Sequence, residues 1–123
     1  MKIESARKII LDNYNCNKGS FVYSLYEECY FSIEKFWEYY ESIAALVGVY
    51  EKSSEITRAI TDSYQRILKE MIFHFDPMDV AVMDNFPENY TAYIERIDFA
   101  LSAYYTDNID LLDNDTFELQ NEF

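Results

Sequence analysis

Apolar residues recur three and four positions apart along most of this chain, and each such run predicts an amphipathic helix. Ile3, Ala6, Ile10 and Tyr14 place a first helix over about residues 3–14, ending before Asn15-Cys16-Asn17-Lys18-Gly19. Ser20 can then cap a second helix. Its stripe is the longest in the chain: Val22, Leu25, Cys29, Ile33, Phe36, Tyr40, Ile43, Val47 and Tyr50 are separated only by threes and fours. A continuous helix over that span would reach about 45 Å, longer than a domain of this size is wide, so a break or curve near Tyr30 is expected.

Ser53 and Ser54 supply the next cap, and Ile56, Ile60, Tyr64, Ile67, Met71 and Phe75 form a third stripe that stops at Asp76-Pro77. The same Asp-Pro pair predicts a short fourth helix over about 77–85, with Val80 and Met83 facing inward. Pro87 opens a fifth, in which Tyr90, Ile94, Ile97, Leu101 and Tyr104 keep the period. From Asp107 onward the chain turns polar and acidic, so 107–123 is either a short docked turn or a frayed tail. No internal repeat and no linker composition divides the chain. The stripes need one another, and the expectation is an all-α, single-domain bundle of about five helices spanning 1–123.

Composition agrees with this. Half of the 123 residues are apolar or aromatic, enough for one core, and two Gly and two Pro are too few for the turns of a many-stranded sandwich or barrel. No signal-peptide h-region and no run of about 18 apolar residues is present, so neither export nor membrane insertion is expected. Cys16 and Cys29 are too few for a disulfide framework and read as reduced thiols in a cytoplasmic protein.

Charge changes the picture more. Twenty-three Asp and Glu against ten Lys and Arg give a net charge of −13. Residues 1–76 hold 12 acids and 9 bases, whereas residues 77–123 hold 11 acids and a single base, Arg96. Such a surface repels nucleic acid and anionic membrane and steers cationic partners inward.

The sequence offers little for catalysis. His74 is the only histidine, and no nucleophile or second base stands at a readable spacing from it. A carboxylate-bridged metal bundle wants Glu-x-x-His, but Phe73 occupies the third place after Glu70 and His74 comes one late. Asp107, Asn108, Asp110, Asp113, Asn114, Asp115 and Glu118 carry oxygen ligands, yet the run lacks the glycine and alternation of a calcium loop. Glu27, Glu28, Glu34, Glu38 and Glu41 read as the solvated side of the second stripe. Gly19 and Gly48 stand alone, so no phosphate loop exists. Neither an enzyme nor a cofactor or metal site is expected.

Twelve tyrosines exceed what the stripes can bury. Tyr23, Tyr26, Tyr30 and Trp37 fall on a second face of the second run, and the doublets Tyr39-Tyr40 and Tyr104-Tyr105 each direct a ring off any single stripe. Tyrosine is enriched at interfaces because it offers a large, stiff contact with a polar tip. Together with the acidic half this gives a candidate partner-binding set: Asp84, Glu88, Glu95, Asp98, Tyr104, Tyr105, Asp107, Asp110, Asp113 and Asp115.

With helical stripes, an acidic 77–123 half and a surplus of tyrosines, the chain resembles the small acidic immunity proteins that bacteria carry against contact-dependent growth-inhibition toxins and colicins. The resemblance implies a one-to-one complex with a basic toxin, an RNase or DNase domain, whose phosphate-binding groove would attract carboxylates. Two other classes compete. A phage-type mimic of nucleic acid needs charges spaced regularly over a long surface, whereas these cluster towards one end. A helical regulatory or scaffold protein would need an apolar groove.

Overall fold

The structure, a computed structural model, describes residues 1–78 and 82–123. Its helices are α1 (Ile3–Tyr14), α2 (Phe21–Tyr26), α3 (Ile33–Ala45), α4 (Ser54–Phe75) and α5 (Tyr90–Thr106), followed by the 3₁₀ turns Ile109–Leu112 and Asn114–Thr116. The all-α, single-domain bundle is as expected. α1 packs on α3 and α4, and α5 lies against α3. Among the described residues no helix is long and apolar enough to cross a membrane.

The expected break in the long stripe comes at 27–32. Cys29 takes a left-handed conformation, with φ 47°, and Tyr30 and Asp84 form an isolated parallel bridge. Asp84 donates its backbone N–H to Cys29 at 2.8 Å, and Phe31 donates to Asp84 at 2.9 Å. Ser32 restarts the helix by accepting the Lys35 N–H at 3.2 Å. The stripe ran through this gap by coincidence of spacing. Cys29 and Ile33 are only half-buried, while Phe31, off the stripe, is fully buried. Tyr50 also leaves the core: α3 stops at Ala45, Gly48 has φ 75°, and Tyr50 is exposed.

Ser53 caps α4 by accepting the Ile56 N–H, and Ile56, Ile60, Ile67 and Met71 are buried as expected, whereas Phe75 is exposed. Of the short helix expected over 77–85, Val80 lies outside the described residues. Residues 82–85 are not helical: Asp84 is in the bridge and Asn85 has φ 60°. Met83 is buried, as expected. The backbone here supplies a partner to residues 29–31 and so cannot also close helical hydrogen bonds.

Aromatic rings tie α2, α3 and α5 together. Phe31 meets Phe21 and Tyr93 edge-on, both at 5.2 Å, and Phe36 meets Tyr93 at 4.8 Å and Trp37 at 5.1 Å. Trp37, Tyr39 and Tyr40, expected in part at the surface, are all buried. Tyr39 reaches across the core to Ser63 at 2.7 Å.

Candidate partner-binding surface

Arg96 organises the acidic half. The single base of 77–123 is 1% exposed and has no carboxylate partner within ion-pair distance among the described residues. It donates to the Leu119 carbonyl from Nε at 3.0 Å and from Nη2 at 2.6 Å. Its Nη1 reaches the Tyr40 hydroxyl at 3.1 Å and Asn114 Oδ1 at 3.2 Å. The guanidinium also lies 4.0 Å from the Phe117 ring centroid. These contacts dock the segment after Asp107. Gln120 adds two more bonds, its amide donating to the carbonyls of Asn114 and Phe117. The frayed-tail alternative for 107–123 is therefore set aside in favour of the docked turn.

The candidate residues then separate. Glu95 and Asp98 share an exposed row on α5 with Ser102 and Tyr105, at spacings of three and four. Asp84 and Glu88 are exposed before the helix, and Asp110, Asp113 and Asp115 are exposed after it. Since α5 has 17 residues and rises ~1.5 Å per residue, the members before its start and at its end stand about 25 Å apart, and the set does not converge on one point.

Tyr104 does not belong in it. Its ring is buried, and its hydroxyl meets Thr57 Oγ1 at 2.7 Å. A buried ring with a satisfied hydroxyl serves packing between α5 and α4. Tyr105 is half-exposed, with its hydroxyl bonded to Thr61. Asp107 is exposed but already engaged. It ends α5 at φ 53°, accepts the Gly48 N–H at 3.1 Å and pairs with Lys52. The Lys52 hydrogen bond holds its carboxyl below the usual carboxylate range. Asp113 is partly engaged as well, accepting the Asp115 N–H at 3.0 Å to start the last 3₁₀ turn. Asp84, Glu88, Glu95, Asp98, Asp110 and Asp115 make no ion pair among the described residues.

His74 stacks on Phe86 at 4.0 Å, and its Nδ1 accepts the Met83 N–H at 3.0 Å. Among the described residues no group of three or more His, Cys, Asp or Glu is placed to hold a metal ion. Cys16 and Cys29 are separate thiols, and partial burial pushes the Cys16 thiol up. Tyr26 and Tyr30 are exposed as expected, with Arg66 stacked 4.3 Å from the Tyr26 ring.

The docked segment also creates what the sequence did not reveal: a cleft of about 530 Å³ whose walls include Trp37, Tyr93, Glu118 and Glu122. No periodicity joins these positions. Trp37 and Tyr93 meet through Phe36, and the Arg96–Leu119 contact helps to bring the segment carrying Glu118 and Glu122 beside them.

No protein family, curated protein or solved structure matches this chain.

Proposed function

We propose that this chain is an inhibitor of the immunity-protein type, which binds and neutralises a basic toxin domain, a nuclease, in a one-to-one complex within the cell. The observation that carries this reading is the burial of Arg96. With its one base withdrawn, the outer surface of 82–123 presents ten exposed acids, Asp84 through Glu122, and no exposed base. A nuclease groove is basic because it must hold phosphates, and carboxylates at phosphate positions compete for the same cations. The field of such a surface accelerates encounter, and Tyr105, farther along the same α5 row as Glu95 and Asp98, supplies stiff contact area once the charges have met. His74, the sole histidine, is stacked on Phe86 and accepts the Met83 N–H at Nδ1, a packing role that fits a binding protein.

The test is co-purification with the product of the adjacent gene, followed by association kinetics at low and physiological salt. A toxin partner gives a one-to-one complex, loss of nuclease activity and an association rate that falls steeply with salt. Glu95→Gln with Asp98→Asn, and separately Asp110→Asn with Asp115→Asn, remove charge without disturbing Asp107 or Asp113. At least one pair should weaken binding by roughly tenfold. A neighbour that is not a toxin, or binding indifferent to salt and to both pairs, would remove this reading.

A further inference from the structure

We propose that the cleft between α3, the start of α5 and the C-terminal segment receives an arginine- or lysine-bearing segment of a basic protein. This rests on the inhibitor reading and places the anchor of its interface here, away from the outer row of α5.

The floor of the cleft is aromatic and fixed. Trp37 and Tyr93 line it and are 2% and 6% exposed, held edge-on to Phe36. Neither the indole N–H nor the phenol hydroxyl has a hydrogen-bond partner among the described residues. No enclosed side-chain N or O atom there lacks a partner, so these two polar atoms reach solvent, and the cleft is the surface both residues share. Two nearly buried rings thus line one hollow while their unpartnered polar atoms keep contact with solvent. An unpaired donor at the bottom of a pocket is a recognition element, because whatever fills the pocket must supply its acceptor.

Charge identifies the occupant. Glu118 and Glu122 stand on the rim, exposed and in no ion pair among the described residues. Burial pushes the Tyr93 phenol up, and the neighbouring Glu122 carboxylate adds to that effect, which puts the negative charge beside the ring. The Arg96 guanidinium lies 5.3 Å from the Trp37 ring and offsets one unit. Two carboxylates against one buried guanidinium leave the cleft net negative. A peptide segment bearing Arg or Lys answers each feature. Its cation meets Glu118 and Glu122 and stacks on the aromatic floor, and a backbone carbonyl accepts from the indole. The wall is preorganised, since Gln120 spends both amide bonds on Asn114 and Phe117. The outer row of α5 has carboxylates but is a convex helix face, and strong interface anchors fill pockets.

Trp37 is the only tryptophan, so its indole N–H gives one unambiguous proton–nitrogen NMR resonance. The full chain would be titrated with acetyl-Gly-Arg-Gly-Arg-Gly-amide into the millimolar range, and with the same peptide carrying neutral citrulline at both arginines. The expected result is a saturable shift of the indole resonance by the arginine peptide alone. Its affinity should fall roughly tenfold in Glu118→Gln/Glu122→Gln and remain near the parent value in Glu95→Gln/Asp98→Asn. An unmoved indole, an equal shift with citrulline, or a loss of affinity confined to the α5 variant overturns the proposal. No toxin enters this titration. A cleft that takes the peptide while the neighbouring gene product goes unbound keeps the cleft and loses the toxin reading. A bound toxin with a silent cleft does the opposite.

Discussion

The Leu119 carbonyl oxygen accepts two hydrogen bonds from one side chain, the Arg96 guanidinium, at 3.0 Å from Nε and 2.6 Å from Nη2. Two donors of one planar guanidinium converging on a single oxygen fix direction as well as distance, because that oxygen must lie near the guanidinium plane between them. The contact converts an acidic, weakly apolar C-terminal stretch into a wall of the bundle.

Arg96→Ala should release that wall. It leaves the Leu119 carbonyl and the Asn114 and Tyr40 acceptors unpaired and removes the packing against Phe117, at a cost of about 2 to 4 kcal/mol. Arg96→Lys should recover little, since an ammonium cannot reproduce the fork. Hydrogen exchange resolved by segment is the measurement. Protection should be lost first over 107–123, and uniform loss across α1 to α4 would assign Arg96 to the whole core instead.

Core energetics should follow burial and not the stripe. Ile67, 1% exposed, should lose about 2 to 5 kcal/mol on replacement by Ala. Ile33 shares the helical period but is half-buried at the rim of the cleft, and Ile33→Ala should cost roughly half as much or less. Urea unfolding of the two variants decides. Equal losses would mean that Ile33 is packed as deeply as its spacing first implied.

Removing the outer charges of α5 should not weaken the isolated protein. Glu95 and Asp98 are exposed and unpaired among the described residues, in a chain of net charge −13. Glu95→Gln/Asp98→Asn therefore relieves self-repulsion, and thermal unfolding at low salt should stay level or rise. The difference from the parent should shrink as salt is added. A clear loss of stability would show that these carboxylates serve the fold.

Acid and alkali should destabilise the protein through different groups. The Asp107 carboxyl is depressed by its Lys52 hydrogen bond. Its contribution is present above the unfolded value near ~3.9 and is lost as pH falls through the lower folded value. Tyr39 runs the other way: burial raises its phenol, with the Ser63 bond acting in opposition. The unfolded chain releases that proton near pH ~10 while the folded chain keeps it, so stability falls as pH rises above about 10. Asp107→Asn should flatten the acid limb of a stability-against-pH curve, and Tyr39→Phe the alkaline limb. A curve unchanged at its matching limb would detach the residue from it.

The sequence by itself determined that the chain is helical and that its later part is negative. Stripes such as Ile56 to Met71 and the Ser53 cap are local, written within one or two turns, and no fold made from this chain could hide eleven acids among one base over 77–123. Tertiary structure decided everything that joins distant positions. The break at 27–32 follows from a backbone pairing between Phe31 and Asp84, which periodicity cannot register because threes and fours continue across it. Tyr104 left the candidate surface because Thr57 on α4 receives its hydroxyl, and Asp107 because Lys52 and Gly48 do. Arg96, which the sequence offered only as the exception in a charge count, lies 23 residues from the carbonyl it holds. The cleft of Trp37, Tyr93, Glu118 and Glu122 is walled by the segment that this contact helps to dock. A hydrophobic period encodes which face of an element is buried, and it carries no information about which other element will cover that face.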